Sequence, residues 1–290
     1  MSIMFCDTNL ELWHDKVKSL NLKVISMPYL IDEEEKHFDL GKSINFKSFY
    51  NKIKKGAIAQ TQALNPQNYI DYFEPYLKQG QDILYVHFSH KLSATFDFMN
   101  KAITELKQKY PSQSIKTVDT LSISIGAAGL LYEAAKLHNN GATDDEVIKY
   151  VENNRNKFTA YFVVDNLHHL KRGGRLTSTK AILGTMMNVK PILTLNTAGA
   201  IKPVDKAKGK IKAMLALIKR LKEEGEDVLD YPIIIAHANA EDEAKFLQKK
   251  CIEYLGENAK IWMQSVGPTI GSHCGPGTFA ISFRTKKRCD

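Results

Sequence analysis

The stretch that most limits how this chain can fold lies near its end, Val266-Gly-Pro-Thr-Ile-Gly-Ser-His-Cys-Gly-Pro-Gly-Thr-Phe-Ala-Ile-Ser-Phe283. Gly267, Gly271, Gly275 and Gly277 share it with Pro268 and Pro276. Glycine permits positive φ and close backbone approach, whereas proline fixes φ and removes a donor. The segment is therefore expected to form a tight loop with exposed backbone N–H groups. His273 sits at its centre, and the strand-like run 279–283 follows at once. A polar, anion-friendly loop set against buried apolar structure suits a ligand with a charged head and an apolar body. Two familiar motifs fail here. Gly275-x-Gly277-x-x-Ala280 is not followed by the strand and helix of a dinucleotide-binding unit, which spans roughly 30 residues. In Gly271-Ser-His-Cys-Gly275 the serine is not midway between the glycines, as a nucleophile elbow requires.

A chain of 290 residues has room for one large domain or two ordinary ones, each with a sizeable core. Its 43% hydrophobic and 25% charged content is that of a soluble globular protein. No apolar run approaches the roughly 20 residues of a membrane span. The first residues lack the basic start and long apolar region of a signal peptide. Cys6, Cys251, Cys274 and Cys289 are scattered without a C-x-x-C pair. That pattern points to free thiols in a reducing, cytoplasmic setting and away from a zinc site. The formal net charge of +8 fits nucleic acid, an anionic membrane or an acidic protein. Nucleic acid ranks last, because aromatic and basic residues do not interleave as in RNA-binding strands.

Along the chain, strands are expected at 3–6, 24–30, 57–61, 82–87 and 115–119, with helices between them. Asn65-Pro66 starts one helix with Pro in its first turn. Thr143-x-x-Glu146 makes a capping box for another. This alternation predicts an α/β domain with a mainly parallel sheet, and ligands in such sheets bind beyond the C-terminal strand ends. By that rule Thr61 and the loop 89–95 are singled out. The second half reads differently. Strands are expected at 160–164, 191–195, 200–204, 232–237, 260–266 and 278–283. Helices are expected at 177–187, 208–222 and 241–255, with a basic glycine loop at Lys171-Arg-Gly-Gly-Arg175. A mixed sheet with helices follows, and the polar stretch near 153–157 divides a domain 1–156 from a domain 157–290.

Six motifs in this order resemble the DegV family of fatty-acid-binding proteins over nearly the whole chain. They are Asp7-Thr8; Thr61 with Asn65-Pro66; Ser89-x-x-Leu92-Ser93-x-Thr95; Leu170-Lys-Arg-Gly-Gly-Arg175; Lys190-Pro-Ile-Leu193; and Gly267-Pro-x-Ile-Gly-x-His273-x-Gly-Pro-Gly277. The resemblance implies two α/β domains, a Rossmann-like one and a mixed-sheet one, with a lipid tunnel between them. It implies a carrier that presents a long-chain fatty acid to a partner kinase, which phosphorylates the carboxylate to an acyl phosphate. Thr61 and Ser93 match the hydroxyls that hold the carboxylate, His273 the histidine beside it, and Arg175 a supporting cation. No cofactor is implied beyond the bound fatty acid. Gln62, His90 and Ala94 depart from the family pattern of Ser after the Thr and of Ser-Ser-x-Leu-Ser-Gly-Thr.

The chemistry stands on its own terms. Hydroxyl and N–H donors hold a carboxylate by charge-assisted bonds, and a histidine there brings a charge tunable near neutral pH. Burying the tail stabilises binding by ~0.8 kcal/mol per CH₂. Ile182, Met186, Met187 and Ile270 are candidate lining residues, each equally readable as ordinary core. Ser93 is also readable as a helix N-cap. The alternative function is an acyl hydrolase or transferase using Ser93 and His273. His87-x-x-His90 lacks a third metal ligand at a recognisable spacing. Cys274 beside His273 lacks an orienting third group. Lysines 202–212 read equally as a solvated face or as a docking patch.

Overall fold

The computed structural model describes residues 2–176 and 188–290. The helix expected at 177–187, and with it Ile182, Met186 and Met187, lies outside the described residues. The chain opens with β1 (Ile3–Asp7), α1 (His14–Ser19), β2 (Lys23–Ile25), β3 (Pro28–Ile31), β4 (Glu34–His37), α2 (Phe46–Lys54), β5 (Gln60–Thr61) and α3 (Pro66–Leu77). It continues with β6 (Ile83–His87), α4 (Thr95–Lys109), β7 (Ile115–Asp119), α5 (Ile125–Asn139) and α6 (Asp144–Asn154). Then come β8 (Phe158–Val163), α7 (His168–Arg172), β9 (Val189–Leu195), β10 (Ile201–Lys208), α8 (Lys210–Glu224), β11 (Ile233–His237), α9 (Glu241–Leu255), β12 (Ile261–Ser265), α10 (Pro268–Cys274) and β13 (Phe279–Arg284).

The molecule is α/β. A four-stranded sheet, order β2-β1-β6-β7, is parallel throughout. A six-stranded sheet, order β10-β9-β8-β13-β11-β12, is antiparallel except between β11 and β12. A small antiparallel sheet, β4-β3-β5, stands apart from both. In the first sheet β6 is buried along its whole length, as its unbroken apolar run predicts. Its order reverses between β1 and β6, so the crevice beyond their C-terminal ends is the place for a ligand. The six-stranded sheet is covered on both faces. Tyr161, Val163 and Ile281 pack under α8 and α9, while Phe162, Ala236 and Ala280 join the core of the parallel sheet. Helix α5 fills the space between the sheets, and its small residues are why it fits. A Cβ on Gly129 would lie 3.1 Å from the Phe158 ring, and one on Gly126 would lie 3.1 Å from Ala160 Cβ.

Three local expectations change. The strand at 24–30 is two, because the chain leaves the parallel sheet after Ile25 and starts the hairpin β3–β4, with Asp32 and Glu33 at positive φ in its turn. The strand ending at Thr61 shrinks to two residues and pairs antiparallel with β3 (Tyr29↔Thr61), so Thr61 does not end a parallel strand. The glycine-rich segment is a helix, α10, with Pro268 in its first turn, where a missing N–H costs nothing. The expected capping box at Thr143/Glu146 is present, and Asn65, with Pro66 in the first turn, caps α3 through a further box with Asn68.

Candidate functional site

Beyond the ends of β1 and β6 lies a cavity, where open α/β sheets place their ligands. Asn9, Phe88, Leu92 and Ser93 come from the loops after β1 and β6, and Met27, Thr61 and Gln62 from around the small sheet. Phe162, Leu195, Ile201 and Ala280 come from the six-stranded sheet, with Leu170, Arg175, Ile270, His273 and Cys274 completing the wall. Most of this surface is apolar. The end of β1 is tied to the end of β6 by Asp7, whose Oδ2 accepts from Tyr85 Oη (3.0 Å) and Phe88 N (3.2 Å). Burial raises the Asp7 carboxyl to about 7.

All four residues singled out from the sequence line this cavity. Thr61 Oγ1 is 2.9 Å from His273 Nε2. Ser93 lines the cavity wall and its Oγ accepts from Thr95 N at 3.2 Å, but the N-cap of α4 is Ala94, so Ser93 is not the helix cap that its position suggested. The fourth, Arg175, lines the same wall and braces it. Its Nε donates to Leu92 O (3.0 Å) and a terminal nitrogen donates to Gly173 O, linking the basic glycine loop to the Ser93 loop. Burial lowers the Arg175 pKa from its usual value without removing the charge from consideration at neutral pH.

The charge on His273 differs from expectation. Burial, then Arg175 and Arg172, push its pKa down to about 4. The ring is therefore neutral at neutral pH and acts through hydrogen bonds. Nε2 is engaged by Thr61, and Nδ1 is buried without a partner among the described residues. Among the described residues Ser93 does not bond the imidazole and no carboxylate orients it, so no Ser–His dyad is assembled there. Cys274 is buried, and its thiol is pushed up to about 12 by burial and by Glu11, which leaves it un-ionised.

Helix α10 carries His273, and its glycines serve contact more than anion binding. A Cβ on Gly271 would lie 2.5 Å from Tyr50 Oη, and one on Gly277 would lie 2.8 Å from Asp165 Cβ. A Cβ on Gly267 would overlap the Phe38 ring, and one on Gly275 the His169 ring. Gly275 and Gly277 also have positive φ. Gly173 of the basic loop lies against the His273 ring so closely that any Cβ would overlap Nδ1. The head of α10 is fixed by Glu11, which is fully buried. Its carboxylate accepts from Gly267 N and Ser124 Oγ, and its own carbonyl accepts from Gln264 Nε2 at 2.8 Å. Burial raises Glu11 to about 7.

The model of the family described as "Uncharacterised protein, DegV family" matches residues 4–286. The chain belongs to the DegV family. A DegV domain-containing protein of Clostridium perfringens (strain 13) is 36% identical over 281 residues, covering 97% of this chain and 96% of its own. The solved structure of DegV, a fatty acid binding protein from Bacillus subtilis, is 25% identical with a TM-score of 0.82, over 98% of this chain and 99% of that one. A DegV family protein from Thermus thermophilus, described as binding fatty acid, shares the fold at 24% identity and a TM-score of 0.84, over 98% and 99% of the two chains.

In this DegV protein the six motifs converge. Lys190 pairs with Asp165 at 2.6 Å, which in turn packs on Gly277. Of the departures, His90 turns away to Asp119 (2.5 Å) and Gln62 stands exposed at the cavity edge. His87 is buried with Nδ1 donating to Phe88 O (2.8 Å), so His87 and His90 do not converge on a common point. Among the described residues no cluster suited to a metal ion occurs, and no helix is long and apolar enough to cross a membrane. All four cysteines are free. Sequence reasoning missed Glu11, Asn9, Ser124 and Thr269. Glu11 sits in a polar-looking stretch, and only the tertiary fold buries it.

Proposed function

We propose that this DegV protein binds a long-chain fatty acid in the cavity, its carboxylate held by Thr61 and Ser93 beside His273 and Arg175, and presents that carboxylate to a partner kinase for acyl-phosphate formation. The observation that carries this reading is that two hydroxyls, a neutral imidazole and one guanidinium line one largely apolar cavity, with Thr61 Oγ1 2.9 Å from His273 Nε2. A single carboxylate bonded to hydroxyls and faced by one cation matches that donor set, and the apolar wall matches a hydrocarbon tail. The fatty-acid ligands of the solved relatives support the same ligand class. The kinase follows from the motif resemblance. Lys171 and Arg172, exposed beside the glycine loop, are where an acidic partner would meet the head group. The unassembled Ser93–His273 pair favours a carrier over a hydrolase.

Native mass spectrometry of the protein purified from its expression host tests the ligand, followed by delipidation and titration with a fatty acid. A retained fatty-acid mass and saturable rebinding are expected. Protein that emerges lipid-free and binds no added acid overturns the reading. Acyl-ester turnover by the isolated chain would favour the hydrolase instead.

A further inference from the structure

The Thr269 hydroxyl has no hydrogen-bond partner among the described residues, although the residue is only 2% exposed. Its place in α10 explains why. A helical Ser or Thr commonly returns its hydroxyl to the carbonyl one turn back, as Ser272 does to Pro268 O at 2.7 Å. Thr269 is the second residue of the helix, so no helical carbonyl lies behind it. The Oδ1 of Asn9 is likewise buried and unpartnered. Asn9, Ser124 and Thr269 all line the cavity. One framework holds them: Ser124 N donates to Asn9 O at 2.7 Å, Ser124 Oγ donates to Glu11, and Glu11 takes Gly267 N at the head of α10. The Ser124 hydroxyl is thus committed, and Asn9 and Thr269 are left open. A plain hydrocarbon tail would cover both without satisfying either, which is costly for buried polar groups.

We infer that this part of the cavity is a second polar subsite that takes a hydroxyl on the ligand's chain, so that a suitably placed hydroxy fatty acid binds at least as tightly as the unsubstituted acid. A hydroxyl donates and accepts at once, so it serves the Asn9 carboxamide and the Thr269 hydroxyl together, whereas a keto oxygen only accepts. Thr269 and His273 are four residues apart on one helical face, about 6 Å along the axis. The subsite therefore lies several carbons from the carboxylate. This inference rests on the fatty-acid reading above and names the chemistry of the tail.

The test is titration of delipidated full-length protein with stearic acid and with a positional series of monohydroxystearic acids, for wild type, Thr269→Val and Thr269→Ser. At least one isomer is expected to bind wild type as tightly as stearic acid. Thr269→Val should lower the hydroxystearic-to-stearic affinity ratio for that isomer about tenfold, the scale of one buried hydrogen bond lost, and Thr269→Ser should restore it. Asn9→Ala, on a different element, reads the same ratio if Thr269→Val does not fold. A wild type that ranks every hydroxy isomer below stearic acid, or a ratio that neither variant changes, overturns the inference while leaving fatty-acid binding intact. Failure of wild type to bind any acid, stearic included, overturns the fatty-acid reading and this inference with it.

Discussion

Buried ionisable side chains set the pH behaviour expected of this protein, and they pull in opposite directions. His273 is neutral in the folded state down to about 4, whereas in the unfolded chain it takes a proton near 6.5. Its burial therefore costs stability as pH falls from 6.5 to 4. Glu11, raised to about 7, still holds its proton where the unfolded chain has lost one at about 4.5. Its burial costs stability as pH rises from 4.5 to 7, and the full cost persists above 7. At about 1.36 kcal/mol per pH unit the Glu11 contribution amounts to about 3 kcal/mol. Glu11→Gln removes it, so the stability of the variant relative to wild type should rise by about that amount between pH 5 and pH 8. Urea denaturation at the two pH values measures this, and a difference that does not grow with pH would show that Glu11 ionises freely in place. The head-group hydroxyls make a separate prediction. Thr61→Ala and Ser93→Ala should each weaken fatty-acid binding by roughly 1.5–3 kcal/mol, one bond to a charged group. Fluorescent fatty-acid titration checks both, and unchanged affinity in the pair removes them from the site. That Thr61, Ser93, Arg175 and His273 share one cavity wall was legible in the sequence because their neighbours form motifs. The charge state of His273 was not, since it depends on burial and on Arg172 and Arg175, which only the fold brings near. Thr269 was not either, because what marks it is a partner it lacks.

At the scale of elements, α10 shows how glycine composition misleads. Glycine-rich sequence reads as loop, yet here the missing side chains let Tyr50, Phe38 and His169 press against the segment. The parallel strands β1 and β6 were legible because buried strands are continuous apolar runs. The two-residue β5 was not, because its pairing with β3 is a tertiary choice made by a polar stretch. The lysines at 202, 206 and 208 fall on β10, an edge strand with an irregularity between Pro203 and Asp205. Lysine and irregular register both guard a sheet edge against pairing with another chain, so the strand has a structural reason for its charge apart from any docking role. The glycine loop offers a paired test of the His273 contact. Gly173→Ala meets the His273 ring at ordinary negative φ, whereas Gly174→Ala meets nothing and suffers only its positive φ. Gly173→Ala should cost about 1–3 kcal/mol by overpacking and weaken fatty-acid binding. Gly174→Ala should lower stability by a similar amount with affinity kept. Melting temperature and titration on both variants decide, and equal effects on affinity would mean that the ring is not what Gly173 protects.

At the scale of the molecule, a covalent division at 156/157 falls between α6 and β8, and we propose it as the domain boundary because the two large sheets are each built from one side of it. The boundary does not divide the core. Met4, Phe5 and Val86 of the parallel sheet belong to one apolar cluster with Phe158, Phe162, Ala236 and Ala280 of the mixed sheet. Helix α5, from the first half, covers the face of the second sheet that α8 and α9 leave open. Removing either half would expose that face, so the halves should unfold together in one cooperative transition. The cavity is walled from both sides of the boundary, so a ligand seated in it binds the joined state alone. Such a ligand stabilises by RT ln(1 + [L]/Kd), about 2.7 kcal/mol at a hundredfold excess over Kd. Scanning calorimetry of delipidated protein should therefore give one transition, and saturating fatty acid should move that transition upward without splitting it. Two resolved transitions in the free protein, or a rise confined to one of two, would mean that the halves fold separately and that the shared core contributes little to holding them together.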